Sequence, residues 1–154
     1  MKRIIFLSVA VFLLFTSTVW ATGSCKVTNQ ENMNVLNSFQ RKVVTLTCTG
    51  DGTIGAFTFT PASYGIQGWY LYNVTTVPSG VSAPTNGYGI TLLDGTEDIA
   101  GGSLASRSST LTQTVLIAPT TQGYHLADGS IVITFSGETA SPSIIVMTLR
   151  FTAN

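Results

Sequence analysis

The sequence predicts an all-β protein: a two-sheet antiparallel β-sandwich of about seven strands, after an N-terminal signal peptide. Two observations lead there. Runs rich in Val, Ile, Thr, Phe and Tyr recur between clusters of Gly, Pro, Asn, Asp and Ser, and no stretch after residue 21 sustains a helical period. In addition, Val44, Leu46 and Cys48 alternate with Val43, Thr45 and Thr47, and Ile145, Met147, Leu149 and Phe151 alternate with Ile144, Val146, Thr148 and Arg150. One apolar face and one mixed face suit strands whose inner sides meet in a common core.

The chain opens on Lys2 and Arg3, runs through an apolar stretch over residues 4–15, and reaches Val19-Trp20-Ala21, small residues at the positions a signal peptidase reads. The apolar run falls short of the roughly 20 residues that span a bilayer. The expected organisation is therefore a signal peptide over 1–21, an N-terminal arm over 22–40 and a sandwich domain over 41–154. The mature protein would be periplasmic or extracellular and, once cleaved, unattached to a membrane. Cys25 and Cys48 are the only cysteines, and an oxidising compartment would join them. Closing that loop would stabilise the fold by roughly 3 kcal/mol on the chain-entropy account. The bond would tie the arm to the first strand. Residues 26–40 (KVTNQENMNVLNSFQ) are polar and read as a short helix, an irregular arm or an eighth strand.

Strands are expected over 41–49, 53–60, 66–76, 88–94, 110–118, 130–136 and 143–152. Gly50-Asp51-Gly52 lies between the first two, and Gly and Asp tolerate the positive φ of a tight hairpin, so these two should pair with each other. In the third strand, alternation sends Trp69 and Leu71 to one face and Tyr70, Tyr72 and Val74 to the other. Both faces are apolar. Trp69 is expected in the core, whereas Tyr70 and Tyr72 are candidates for a platform that meets a sugar ring or a protein partner.

Charge is sparse: seven basic and seven acidic side chains make up 9% of the residues. Without Lys2 and Arg3 the balance is five basic to seven acidic. No basic stripe exists to neutralise phosphates, which argues against nucleic acid as a partner. His125 is the only histidine and stands three residues before Asp128 in a loop. No Gly-x-Ser-x-Gly elbow occurs, and one histidine with two bonded cysteines makes no zinc site. The chain reads as no enzyme and as needing no cofactor. The loop over 94–108 gathers Asp94, Glu97 and Asp98, a set that invites carboxylate catalysis or calcium binding. It also reads as a loop closed on itself, with Arg107 pairing Asp94 or Asp98 and Gly101-Gly102 making a sharp turn.

The run GWYLYNVTTVPSGVSAPTNGYGITLLDGTEDIAGGSLASRS, continued by TVLIAP and LADGSIVITFSG, resembles small β-sandwich structural proteins encoded in tailed-phage and prophage genomes. Their pattern has an aromatic strand, a Pro-Thr-x-x-Tyr-x-Ile/Val-x-Leu strand, an Asp-Gly-x-Asp loop, Gly-Gly, a small-residue run and Asn-Arg. Pro84, Thr85, Tyr88, Ile90, Leu92, Gly101, Gly102 and Arg107 fall on it, with Ser106 where the family tends to Asn. The likeness covers roughly residues 41 to 152 and implies a structural, virion-type part in an assembly, whereas an export signal is foreign to a subunit assembled in the cytoplasm. A protein partner or self-association is therefore expected. The alternative is an extracellular carbohydrate- or surface-binding module.

Overall fold

The computed structural model describes residues 23–35, 39–117, 126–127 and 129–153. The expected signal peptide, and with it the cleavage site, lies outside them. Strands dominate: β1 (Ser24–Val35), β2 (Phe39–Gly50), β3 (Phe57–Phe59), β4 (Trp69–Pro78), β5 (Gly89–Asp94), β6 (Glu97–Asp98), β7 (Gln113–Leu116), β8 (Leu126–Ala127), β9 (Ile131–Ser136) and β10 (Ser143–Thr152). The larger sheet runs β1-β2-β10-β4-β7 with β8 also on β4, the smaller β3-β9-β5-β6, and every pairing is antiparallel. The two sheets pack face to face, as expected for a sandwich.

Alternation decides which side each strand buries. Along β10, Ile145, Met147, Leu149 and Phe151 are fully buried and every residue between them is only half-buried. Val44, Leu46 and Cys48 of β2 face the same core. From the smaller sheet come Phe59, Ile90, Leu92, Ile131 and Ile133. Phe59 stacks on Phe151 across the two layers, with ring centroids 6.2 Å apart, and on Tyr64 of the 3₁₀ turn Pro61–Tyr64, at 4.9 Å.

The strand count exceeds seven for two reasons. The polar arm is a strand after all: β1 lies at the sheet edge, where Lys26, Thr28, Asn29, Gln30, Glu31 and Asn32 all face solvent. A polar, charged edge is how sheets avoid pairing with other chains. Cys25 and Val27 turn towards the core, and Cys25 is bonded to Cys48, its direct cross-strand partner. Two-residue strands such as β6 and β8, in turn, are too short to leave a periodic trace.

Two expectations are corrected. Gly50-Asp51-Gly52 does not fold β2 back onto the next strand. Among these three only Gly52 has a positive φ (81°), whereas a two-residue type I′ hairpin needs it at both central positions. Both edges of β2 are already taken by β1 and β10, so the chain crosses to the other sheet, where β3 joins β9. The crossing is fixed by Gly52 N–H donating to the Ala140 carbonyl at 3.2 Å and by a Ser141 Oγ–Asp51 Oδ1 hydrogen bond.

Along β4, simple alternation fails. Arg150 pairs with Asn73 and Phe151 with Leu71, leaving Tyr72 as the extra residue of a bulge. Leu71 and Val74 therefore both enter the core, and Val74 does not share a face with Tyr70 and Tyr72. Trp69 is half-buried against the core rather than within it. The expected strand over 110–118 shrinks to β7.

Candidate functional site

The 94–108 loop closes on itself, though not through the expected ion pair. Asp98 Oδ1 accepts from the backbone N–H of Leu92 and of Ala100, both at 3.1 Å, and Oδ2 from Gly102 N–H at 2.8 Å. Gly101 and Gly102 make the sharp turn with φ of 56° and 74°. Asp94 and Glu97 are opposite each other across β5 and β6. The Asp94 carboxylate lies against Gly129, where a Cβ would stand 2.7 Å from Oδ1, and Glu97 is exposed. Among the described residues no group of three or more His, Cys, Asp or Glu side chains is arranged to hold a metal ion.

Arg107 turns away from these carboxylates. It is 4% exposed, and its Nε and Nη2 donate to Thr76 Oγ1 of β4 at 3.2 and 3.0 Å. Arg107 N–H also donates to the Tyr88 carbonyl at 2.7 Å, so one residue fastens the loop to both sheets. Burial lowers the guanidinium pKa from its ordinary value, an effect that the adjacent Tyr88 partly offsets. The Tyr88 hydroxyl is enclosed beside Thr76 and Arg107 yet makes no hydrogen bond of normal geometry, and burial raises its pKa above 10.0. Nearby, the buried Glu138 carboxylate accepts from Thr85 N–H at 3.0 Å, Thr85 Oγ1 at 3.3 Å and Ala140 N–H at 2.8 Å. These groups hold the fold from within; none opens to solvent.

A different region does open. A cleft of about 190 Å³ is lined by Asn32, Gln40, Arg41, Lys42 and Trp69. It forms where the β1–β2 ladder reaches the end of the sandwich: Lys42 is paired with Asn32 on one side and with the core residue Phe151 on the other. Lys42 Nζ stands 5.0 Å from the centre of the Trp69 ring and donates to the Gly65 carbonyl at 2.6 Å. Arg41, facing the opposite side of β2, lays its guanidinium 5.7 Å from the centre of Tyr72. Tyr70 and Tyr72 are both half-buried.

Of the residues singled out from the sequence, Cys25 and Cys48 are joined, Asp94, Glu97 and Asp98 share one corner, and Arg107, Tyr70 and Tyr72 lie elsewhere. His125 and Asp128 fall outside the described residues. Sequence reasoning missed Asn32, Gln40, Arg41 and Lys42. The one signal for them is the adjacent basic pair of QRKV at the start of a strand, where alternation aims two cations at opposite faces. Compared with known family models, curated proteins and solved structures, the chain matches none of them.

Proposed function

We propose that this protein is a secreted, non-catalytic structural subunit that assembles with further copies of itself through the outer face of its larger sheet. The observation that carries this reading is a cross-strand row, Thr45–Thr148–Thr75–Thr114, running over four strands, flanked by the row Thr47–Val146–Val77. Every described strand belongs to one of the two sheets, and the 3₁₀ turn packs on the inner side through Tyr64, so no described element covers this face. Its central cation, Arg150, is held down by Nη1 donating to Asn73 Oδ1 at 2.7 Å and to Thr75 Oγ1 at 2.6 Å, which leaves the middle of the face to β-branched side chains, with Lys26 and Arg41 at its margins.

The four long strands at about 4.8 Å spacing, each rising about 3.3 Å per residue over about ten residues, and the short β7 beside them present roughly 700 Å². A standard stable interface buries about that much on each partner. The signal-like N-terminus and the Cys25–Cys48 bond support export. The resemblance to virion-type sandwich proteins supports a role in assembly, and the engagement of Asp98 by backbone amides supports a non-catalytic corner. Light scattering coupled to size-exclusion chromatography tests the reading. Self-association that Val146→Lys and Thr148→Lys abolish is expected; a monomer at the highest soluble concentration overturns it.

A second reading, a glycan- or surface-binding module, is favoured by the open cleft at Trp69 rather than by Tyr70 and Tyr72 as a pair.

A further inference from the structure

We propose that the cleft between Asn32, Gln40, Arg41, Lys42 and Trp69 binds an acidic saccharide, with a sugar ring against the indole and its carboxylate held by Lys42. This deepens the binding-module reading by naming its ligand, and it does not depend on self-assembly. The described residues hold five cations, Lys26, Arg41, Lys42, Arg107 and Arg150. Arg107 is buried on Thr76, and Arg150 is bonded to Asn73 and Thr75. Of the other three, Lys42 projects into this one cleft and Arg41 borders it with its guanidinium on the opposite face of β2, and the lining contains no carboxylate. In so charge-poor a chain, that is a local field favouring an anion.

The remaining lining sets the class of anion. A phosphate or sulfate ion alone would have no use for an indole, whereas a pyranose presents C–H groups to an aromatic face and hydroxyls to its surroundings. Asn32 and Gln40 each carry a carboxamide that donates and accepts, matching hydroxyls that do both. At about 190 Å³ the cleft is smaller than the roughly 300–1,000 Å³ of pockets for drug-sized ligands, so it takes a single ring. It borders the edge strand β1, so the neighbouring units of a polymer can lie outside it. Lys42 is already oriented by the Gly65 carbonyl and the indole, so little side-chain freedom is lost on binding.

The test is titration of the full chain, labelled with nitrogen-15, with trigalacturonate, its methyl ester, neutral trigalactose and oligothymidylate, following amide shifts and Trp69 emission. Trigalacturonate should shift resonances of residues 32, 40–42 and 69, bind at least tenfold more tightly than the methyl ester, and weaken as salt rises. Lys42→Gln should weaken binding about tenfold, and Arg41→Gln, whose guanidinium lies on the opposite face of β2, by less, while the circular dichroism spectrum stays unchanged; Trp69→Phe controls for a fold defect because it keeps a ring at the core margin. Equal binding of ester and acid would overturn the acidic class while leaving the binding-module reading standing. No saccharide binding, or tighter binding of oligothymidylate, would overturn both.

Discussion

The Asp98 corner and the Trp69 cleft use charge in opposite ways. At Asp98 a single carboxylate is surrounded by three backbone N–H donors from its own loop and from β5, so its charge is answered inside the molecule. At Trp69 the Lys42 ammonium leans on the indole and one carbonyl, Arg41 leans on Tyr72 across β2, and the space beside Lys42 stays open. An acidic cluster in the sequence therefore marks a structural turn, whereas a plain basic pair marks the accessible surface. The number of hydrogen-bond partners each charge finds within its own chain separates the two, more than its sign or its neighbours in sequence.

If that contrast is right, substitutions should separate into stability effects at the corner and binding effects at the cleft. The largest expected effect is Asp98→Ala, which strands three amide donors and should lower unfolding stability by about 3 kcal/mol in urea titrations; a loss below about 1 kcal/mol would erase the contrast. Thr76→Val comes next. It leaves the enclosed Arg107 guanidinium without its hydroxyl acceptor and should cost about 2 kcal/mol by the same measurement.

Ser106 sharpens the corner from the other side. Among the described residues it is the one non-glycine with a left-handed φ, 53°, a region that Asn tolerates better. Ser106→Asn should raise stability by about 1 kcal/mol, seen as a higher midpoint of thermal unfolding. At the cleft, Lys42→Gln should cost less than about 1 kcal/mol, because a partly exposed charge contributes little to folding.

The smallest effect at neutral pH is expected for Tyr88→Phe, which removes a hydroxyl that makes no hydrogen bond. Alkali should reveal the difference. Because burial raises the folded pKa above 10.0, the native state keeps its phenolic proton after the unfolded chain has released it. The contribution is whole below about pH 10 and is lost as pH climbs through the folded pKa. Wild type should therefore lose stability in that window faster than Tyr88→Phe, as followed by denaturant titration at a series of pH values.

Much of this architecture is legible in the sequence. The alternation of 143–152 and 43–48 gives both the strands and their buried sides, because one side-chain period governs both. The partner of β2 is not legible. Gly50-Asp51-Gly52 is a local turn signal, and it is overruled by β10, a strand some hundred residues away that fills the edge a hairpin would need. The β4 bulge is hidden for a similar reason, since it appears only as the register against β10. Arg107 was visible as a residue that closes the loop, but its acceptor lies 31 positions back in the other sheet and is a neutral hydroxyl, so charge matching pointed to the wrong partner. The cleft combines residues from β1, β2 and β4, and only assembly brings them together.

The placing of β1 also has a bearing on how the sheet guards its edge. Its ladder joins the rest of the sheet only through β2, and it is sewn there by one covalent stitch near its beginning. Without β1 in place, the outer margin of β2 would offer unsatisfied amides and carbonyls to any passing ribbon of another molecule. The bond between Cys25 and Cys48 thus acts as a safeguard on that edge, holding β1 against β2.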